Sequence, residues 1–357
     1  MSTLGDFVNI KTGKLDANAS SANGQYPFFT CSIEPLRIDA YSYDCECVLV
    51  AGNGDLNVKY YNGKFDAYQR TYIIESLDKT ILSVPYLYCF LDKYVEKLRE
   101  LSIGGVIKYI KLGNLTEAQI PMCSIAEQNE IVANLNKVDT LISIRKQQLS
   151  KLDKLVKSRF IEMFECGSYP IFRLGDVCTK ITDGTHKTPN YLNSGVTFIS
   201  AKNIVNGELD FTNVKYISVQ EYAEIQKRCQ TEMGDILLSK SGSLGAPAIV
   251  KNADRIGLFE SLAVLKYDRH KLLAAFLCEQ LKADKVQRQF RVGTKGVAIK
   301  HLHLGVIADT KIIVPPIEEQ MAFVTFVEQT DKSKFEIKKS LEKLETLKKA
   351  LMQKYFG

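Results

Sequence analysis

The hydrophobic pattern of this chain is most regular between Glu127 and Phe164. There the apolar residues recur at alternating steps of three and four, which is typical of a helix that buries one narrow stripe against another helix. Ser124 and Glu127 have the spacing of a capping box, and no Pro or Gly follows before Gly167. We therefore predict one helix of about ten turns, roughly 57 Å long. Its stripe consists of Leu135, Val138, Ile142, Leu149, Leu152 and Val156.

A similar segment ends the chain. Gln128 corresponds to Gln320 and Phe164 to Phe356, both 192 positions later (320 minus 128, 356 minus 164). The pattern predicts a tandem repeat of one unit, a globular part followed by a long helix. A two-fold axis perpendicular to the helices would lay them antiparallel, with the globular parts at opposite ends. The alternative is two independent domains, each with a terminal helix packed on itself. The second stripe consists of Ile337, Leu341, Leu344 and Leu351.

The globular parts show the mixed periodicities of strands and helices, so the predicted fold class is α+β, with two mixed α/β domains separated by a long antiparallel two-helix coiled coil. A Gly- and Asn-rich segment, Gly52–Phe65, is predicted to be a loop. The predicted domains are 1–124, 125–166 (central helix), 167–316 and 317–357 (C-terminal helix). The predicted strands are Val48–Ala51, Tyr72–Ile74, Val196–Ser200 and Asp235–Ser239, and the predicted shorter helices are Val84–Leu101 and His270–Phe290.

Composition sets the broad class. The chain has 357 residues, enough for two domains, with 45% hydrophobic and 25% charged residues. No apolar run is long enough to span a membrane and the N-terminus does not have the pattern of a signal peptide, so we expect a cytoplasmic protein. Of the nine cysteines, Cys45 and Cys47 form one C-x-C motif, and no second pair lies at zinc-binding spacing. The four histidines do not complete a set of metal ligands, so we predict reduced cysteines and no metal site.

The sequence does not contain a recognisable catalytic constellation. The glycine loops at Gly52 and Lys240 do not match phosphate-binding motifs, and an Asp183–His186 dyad is only conceivable. The net charge of +6 permits a polyanionic partner. Basic, amide, hydroxyl and aromatic residues are interleaved in both globular parts, and such residues contact phosphates and base edges. The predicted DNA-binding residues are Lys11, Lys14, Asn53, Asn57, Lys59, Tyr60, Tyr61, Lys64, Gln69, Arg70, Lys180, Thr185, His186, Lys187, Thr188, Lys202, Asn203, Lys240, Ser241 and Ser243.

Two other classes of protein stay open on the residues alone. One is a self-contained DNA-processing enzyme with an unrecognised active site. The other is a coiled-coil interaction protein without a role at DNA.

Several motifs resemble those of the DNA-specificity subunits of type I restriction-modification systems, the HsdS family. Ile120–Pro121 followed by Ala126–Gln128 is matched by Val314–Gln320, and each segment precedes a long helix. Asp183–Tyr191 (DGTHKTPNY), Phe198–Ile204 (FISAKNI) and Gly234–Gly245 (GDILLSKSGSLG) resemble sequences common in the target-recognition domains of this family. The resemblance covers nearly the whole chain.

The resemblance implies a non-catalytic subunit in which each globular domain is a target-recognition domain that reads one half of a split, asymmetric DNA site. It also implies that the paired helices set the unspecified spacer and dock two methyltransferase (HsdM) subunits, and that motor-nuclease (HsdR) subunits join them. S-adenosylmethionine, ATP and magnesium would belong to those partners, and this chain would carry no cofactor.

Overall fold

The computed structural model describes residues 2–165, 167–252, 255–294 and 301–357. It divides into two compact units, Met1–Gln147 with Lys338–Gly357, and Gln148–Ile337. We call these unit 1 and unit 2. The boundary cuts through both long helices, so each unit contains a globular part and one stretch of each helix. The domain limits predicted from the sequence instead make each long helix a separate segment.

Unit 1 has a six-stranded sheet in the order β2-β7-β5-β6-β3-β4, and a two-stranded sheet of β1 and β8. Within the large sheet only β3 and β6 run parallel. The strands are β1 Ser2–Thr3, β2 Val8–Thr12, β3 Tyr26–Phe29, β4 Leu36–Ile38, β5 Tyr43–Ala51, β6 Val58–Ala67, β7 Thr71–Ser76 and β8 Gln119–Ile120; the helices are α1 Val84–Leu101, α2 Leu112–Thr116 and α3 Ile125–Phe160, which continues into unit 2.

One sheet face of unit 1 packs on α1, and this contact forms the larger core. Val48, Val50 and Ile74 on the sheet meet Leu87 and Leu91 on the helix, and all five side chains are buried. A smaller core on the other sheet face is built from Phe29, Cys47, Leu49, Phe65, Ala67 and Ile73. The sheet is therefore buried on both sides over its central strands.

The prediction of a loop over Gly52–Phe65 was wrong. Most of that segment is β6, which pairs with β5 from Val50↔Val58 to Tyr43↔Phe65. The β-branched and aromatic residues of the segment favour a strand and outweigh its Gly and Asn content. Gly63 lies within the strand at φ +135°, a conformation that L side chains rarely adopt.

Unit 2 repeats part of this plan, because its main sheet has the order β10-β18-β15-β16, which parallels β2-β7-β5-β6. The remaining strands form the sheets β14-β11-β17, β12-β13 and β19-β9. The strands are β9 Ile171–Arg173, β10 Cys178–Asp183, β11 Val196–Ile199, β12 Ile204–Val205, β13 Glu208–Leu209, β14 Lys215–Ile217, β15 Ile236–Ser239, β16 Pro247–Ile249, β17 Ile256–Leu258, β18 Leu262–Tyr267 and β19 Lys311–Ile313; the helices are α4 Leu174–Val177, α5 Val219–Arg228, α6 Ala274–Lys282, α7 Asp284–Gly293, α8 Leu304–Asp309 and α9 Ile317–Phe356, which continues into unit 1.

The prediction of one helix over His270–Phe290 was also wrong, because the chain is extended at Ala283 between α6 and α7. Leu281 and Val286 both lie in the main core of unit 2. Five positions differ by about 140° on a straight helix, so an unbroken helix could not turn both side chains to that core. The break at Ala283 lets both Leu281 and Val286 face the core.

The long helices begin as predicted. The Ser124 Oγ accepts from the Glu127 amide at 3.3 Å, and the Glu127 carboxylate accepts from the Ser124 amide at 2.9 Å, which completes the capping box. Helix α3 ends at Phe160 and is followed by a short π-helical turn, Ile161–Glu165.

Helices α3 and α9 run antiparallel in each unit. In unit 1, Asp139 pairs with Lys348 at 2.6 Å and Lys146 with Glu345 at 3.3 Å. Arg145 lies between Ile142 and Leu149 at a position of the apolar stripe, and its Nε donates to the Ser340 Oγ at 3.2 Å. The stripe residues Leu135 and Val138 are buried, and Ile142, Leu341, Leu344 and Leu351 are half-buried.

In unit 2, Asp153 pairs with Lys334 at 2.8 Å, and the rings of Phe160 and Phe323 lie 5.5 Å apart. Residue numbers on α3 again rise as those on α9 fall, so the helices are antiparallel here too. The stripe residue Val156 is buried, and Leu149, Leu152 and Ile337 are half-buried. The antiparallel two-helix coiled coil predicted from the sequence is confirmed within each unit.

Candidate nucleic-acid interface

A charged cluster lies at one end of the main sheet of unit 2. Asp183, the last residue of β10, is 2% exposed and accepts hydrogen bonds from Lys240 and from Arg228. Lys240, which follows β15, is 3% exposed and also donates to the Glu260 carbonyl at 3.0 Å. The His186 Nε2 lies 3.3 Å from the Asp183 carboxylate and its side chain is exposed. The buried ion pair therefore ties together three loops.

Electrostatics hold this cluster in its charged form. Burial alone raises the pKa of Asp183, but the hydrogen bond and charge of Lys240, with further help from Arg228, outweigh it and bring the pKa below its ordinary value. The Asp183 carboxylate is thus an anion fixed by two cations. That arrangement makes it a structural anchor and argues against a general base working with His186.

The loop that carries Lys240 is fixed by its backbone. The Lys240 amide donates to the Ser261 carbonyl at 2.8 Å, and the Lys240 carbonyl accepts from the Leu302 amide at 2.8 Å. Gly242 and Gly245 have positive φ, and a side chain at Gly245 would meet the ring of Phe290. The loop therefore presents Ser243 to solvent in a defined conformation.

Unit 1 has an equivalent arrangement after β5. The Gly52 amide donates to the Arg70 carbonyl at 2.8 Å, and the Gly52 carbonyl accepts from the Ile110 amide at 2.9 Å. Nearby, the Asn57 side-chain Nδ2 donates to the Cys31 carbonyl at 2.8 Å, and the Asn57 Oδ1 accepts from the Lys59 ammonium. Burial lowers the pKa of Lys59.

Gly52 and Lys240 thus occupy the same place in two copies of one backbone framework. The residues that donate to their carbonyls, Ile110 and Leu302, are 192 positions apart (302 minus 110). The side chains around the two positions differ: unit 1 presents Asn57, Lys59 and Arg70, and unit 2 presents the ionic cluster. The duplication has kept the framework and changed the surface chemistry.

The residues 1–154 and 168–349 match the family described as "Type I restriction modification DNA specificity domain". The chain belongs to this family. It is similar to the EcoDI specificity subunit of Escherichia coli, at 38% identity over 154 residues, which are 43% of this chain and 34% of that protein. It is also similar to the MjaVIII specificity subunit of Methanocaldococcus jannaschii, at 22% identity over 98% of this chain and 90% of that protein.

Of the relatives, the EcoDI subunit is matched over about a third of its length and the E. coli EcoBI subunit over 64%. Among solved structures, the S subunit of a type I system from M. genitalium has a TM-score of 0.60 at 19% identity, covering 100% of this chain and 95% of that one. A chain from a structure titled for complex assembly and conformational transition of the type I R-M system has a TM-score of 0.60 at 17% identity, covering 99% and 96%. These likenesses confirm the fold.

The predicted DNA-binding residues differ in their exposure to solvent. The exposed ones are Lys11, Lys14, Tyr60, Lys64, Gln69, Arg70, Lys180, His186, Lys187, Thr188, Lys202 and Ser243, and the half-buried ones are Asn53, Asn57, Lys59, Tyr61, Thr185 and Ser241. Lys240 and Asn203 are buried. Asn203 accepts from the Ser200 amide and donates to the Asp210 and Asn213 carbonyls, so it holds its own loop together.

Not all of these residues lie together. Tyr60 donates to Glu46 at 2.8 Å and packs near Tyr88 of α1, on the opposite sheet face from Tyr61, because side chains alternate along a strand. Lys11 is paired with Glu75 at 2.9 Å. The sequence motifs did not indicate Arg228 or Glu260, because only the fold brings Arg228 to Asp183 and Glu260 to Lys240.

Other expectations concern metals, cysteines and membranes. Within the described ranges, no group of three or more His, Cys, Asp or Glu residues could hold a metal ion. The eight cysteines that the structure describes are free thiols, and Cys166 lies outside the described residues. No helix in the described part of the chain is long and apolar enough to cross a membrane.

Proposed function

We propose that this chain is the sequence-reading subunit of a type I restriction-modification complex, and that each unit reads one half of a split DNA target. The observation that carries the proposal is the shared backbone framework around Gly52 and Lys240, which presents different side chains in the two units. Equal scaffolds with unequal surfaces suit a protein that reads two unlike half-sites in the same manner.

In unit 2, we assign direct contacts to exposed side chains at the edge of the ionic cluster, namely His186, Lys187, Thr188 and Lys202. Lysines at such positions neutralise phosphates, and His or Thr side chains can reach base edges. Lys240 and Asn203 are too buried for contact and instead hold the loops. This revises the earlier expectation that both touch DNA.

In unit 1, the corresponding contacts fall to the group around Arg70 and Gln69, with Asn57 and Lys59 behind them. Gln69 is held by Asp16 at 2.9 Å, so its amide is oriented by a second loop. Arg and Gln are the side chains that most readily make bidentate contacts to G and A.

Helices α3 and α9 would fix the distance between the half-sites, which lie on one DNA face when they are about 34–36 Å apart. Methyltransferase subunits, using S-adenosylmethionine, would flip and methylate adenines. Motor-nuclease subunits with ATP and magnesium would add cleavage. The chemistry would then belong to the partners, and the cytoplasmic location expected from the sequence stays a prediction.

The test is an exchange of residues 1–124 for the same segment of another specificity subunit. After assembly with methyltransferase subunits, mapping of methylated adenines should show one half-site changed and the other unchanged. The matched control exchanges residues 167–316 and should change the opposite half-site. A change in both half-sites after either exchange would contradict independent reading by the two units.

The rival hypothesis of a self-contained enzyme has its own readout. The purified chain with duplex DNA and divalent metal ions should neither cut nor methylate. Cleavage or methylation by the chain alone would favour the rival.

A further inference from the structure

Unit 1 carries an exposed apolar tip between Ile103 and Tyr109. Val106 is completely exposed and Ile107 is 63% exposed, although both are side chains that folding normally buries. The tip is closed at its base by two backbone hydrogen bonds, from the Ile103 amide to the Tyr109 carbonyl at 3.0 Å and from the Tyr109 amide to the Ile103 carbonyl at 2.9 Å. Gly104 has φ +120°, which permits the tight turn.

The tip stands directly beside the candidate DNA-binding loop of unit 1. The Gly54 amide donates to the Lys108 carbonyl at 2.9 Å, and Asn53 forms a bridge with Tyr109. The Tyr72 hydroxyl donates to the Ile110 carbonyl at 3.2 Å, just after the tip. The tip is therefore fastened to the same framework that positions Gly52 and Arg70.

The charges around the tip suit a polyanion. Lys108 follows the two apolar residues and is exposed. Asp55, the only carboxylate in the loop between β5 and β6, lies 3.5 Å from the Arg99 guanidinium. The apolar pair would suit the stacked bases of a duplex and the lysine at its base would suit the phosphates. The nearby acid is paired with Arg99 and would therefore repel the phosphates less.

We propose that Val106 and Ile107 form a wedge that enters a base step of the half-site read by unit 1. The proposal rests on the proposed DNA-reading function. Apolar side chains inserted between base pairs unstack them and kink the duplex, and the energy of unstacking makes the choice of base step part of the specificity. The second repeat has Gly296-Val297-Ala298-Ile299-Lys300 at the corresponding place in its sequence, which lies outside the described residues.

The experiment uses the chain assembled with its methyltransferase subunits and duplexes containing the mapped target. A set of duplexes carries 2-aminopurine at successive positions of the half-site read by unit 1. Apart from the adenine that the methyltransferase subunits flip out, where both wild type and variant should respond, the wild-type complex should raise the fluorescence at one step, because unstacking removes quenching. The variant V106S/I107S should lose that rise and bind roughly tenfold more weakly, because the lost burial of two apolar side chains is partly offset by the unstacking energy that no longer opposes binding.

A mismatch placed at the responsive step provides a second arm. It should tighten binding by the wild-type complex, since an unpaired step costs less to open, and should not tighten binding by V106S/I107S. The control is Leu77→Ser, which removes another exposed apolar side chain of unit 1 and should leave binding and fluorescence unchanged.

Two results would overturn the wedge. One is equal 2-aminopurine fluorescence for the wild type and the variant at every position other than the flipped adenine. The other is loss of the methyltransferase subunits from the variant in the absence of DNA, which would make the tip a protein-docking surface. If the wild-type complex did not bind the duplex at all, the DNA-reading function itself would fail, and that result is distinguishable from both.

Discussion

Two glutamines show how single residues join the long helices to the globular parts. Gln128, with no exposed surface, accepts from the Ser83 amide and donates to the Ile81 and Cys123 carbonyls. Gln320 makes the same three contacts in unit 2, accepting from the Leu273 amide and donating to the Lys271 and Pro315 carbonyls. Each glutamine thus links the start of a long helix to the start of the shorter helix that packs on the sheet.

Replacing Gln128 by Leu should therefore destabilise unit 1. The change leaves one amide and two carbonyls without their partner in a part-buried site, at about 1–3 kcal/mol for each group that water cannot reach. We expect urea unfolding followed by circular dichroism to show a loss of at least about 3 kcal/mol. Gln147→Leu, on an exposed position of the same helix, is the matched control, and an equal effect of both variants would contradict the role of Gln128.

The ion pair of Asp183 and Lys240 predicts a pH-dependent effect. The folded-state pKa of Asp183 is lowered, so the pair contributes stability above the ordinary carboxyl pKa of about 3.9, and that stability is lost as the pH falls through the folded-state pKa. Lys240→Met should cost about 3 kcal/mol at pH 7, because it removes one partner of a buried pair.

The difference between the wild type and Lys240→Met should narrow as the pH is lowered from 5 to 3, as measured by urea unfolding at each pH. Lys202→Met, at an exposed predicted DNA contact, should change stability by less than about 0.5 kcal/mol at every pH. A cost of Lys240→Met that is the same at pH 7 and pH 3 would show that the charge of Asp183 does not matter.

At the scale of elements, the predictions succeeded where one local signal was strong. Helix α1 begins and ends at the predicted residues because Ser83 caps it, Pro85 suits its first turn and one face is apolar. The predictions failed where tertiary contacts decided, as in the strand pairing of β6 and the break at Ala283. The burial of Lys240 also depends on such contacts, since its partners Asp183 and Glu260 are distant in sequence. A list of loop residues cannot separate side chains that face a ligand from those that hold the loop.

The helix seam predicts that two leucines of α3 differ in how much their side chains stabilise the fold. Leu135 is 2% exposed and packs with Cys89 and Met352, whereas Leu155 is 48% exposed. Leu135→Ala should cost about 2–5 kcal/mol through lost burial and a cavity. Leu155→Ala should cost less than about 0.5 kcal/mol. Thermal and urea unfolding of both variants would check this, and equal costs would mean that the seam is not the packed stripe.

At the scale of the whole molecule, duplication would let one fold read the asymmetric target that we propose. Each unit keeps the same framework, the same glutamine link and the same antiparallel helix pairing, so we expect each unit to tolerate changes at its own surface. The chain passes from one compact unit to the other at Gln147–Gln148 within α3 and at Ile337–Lys338 within α9. An insertion at these two junctions lengthens both helices and leaves the residues within each unit unchanged.

A seven-residue insertion at both junctions should therefore lengthen the unspecified spacer of the target. Seven residues keep the alternation of three and four, and they add about 10 Å of helix, which corresponds to roughly three base pairs. Mapping of methylated adenines should show both half-sites unchanged and further apart. The control inserts seven residues at Gln147–Gln148 alone; this mispairs α3 with α9 and should abolish methylation. An unchanged spacer after the double insertion would mean that the helices do not set the distance between the half-sites, and the surface that separates them would have to be sought elsewhere in the complex.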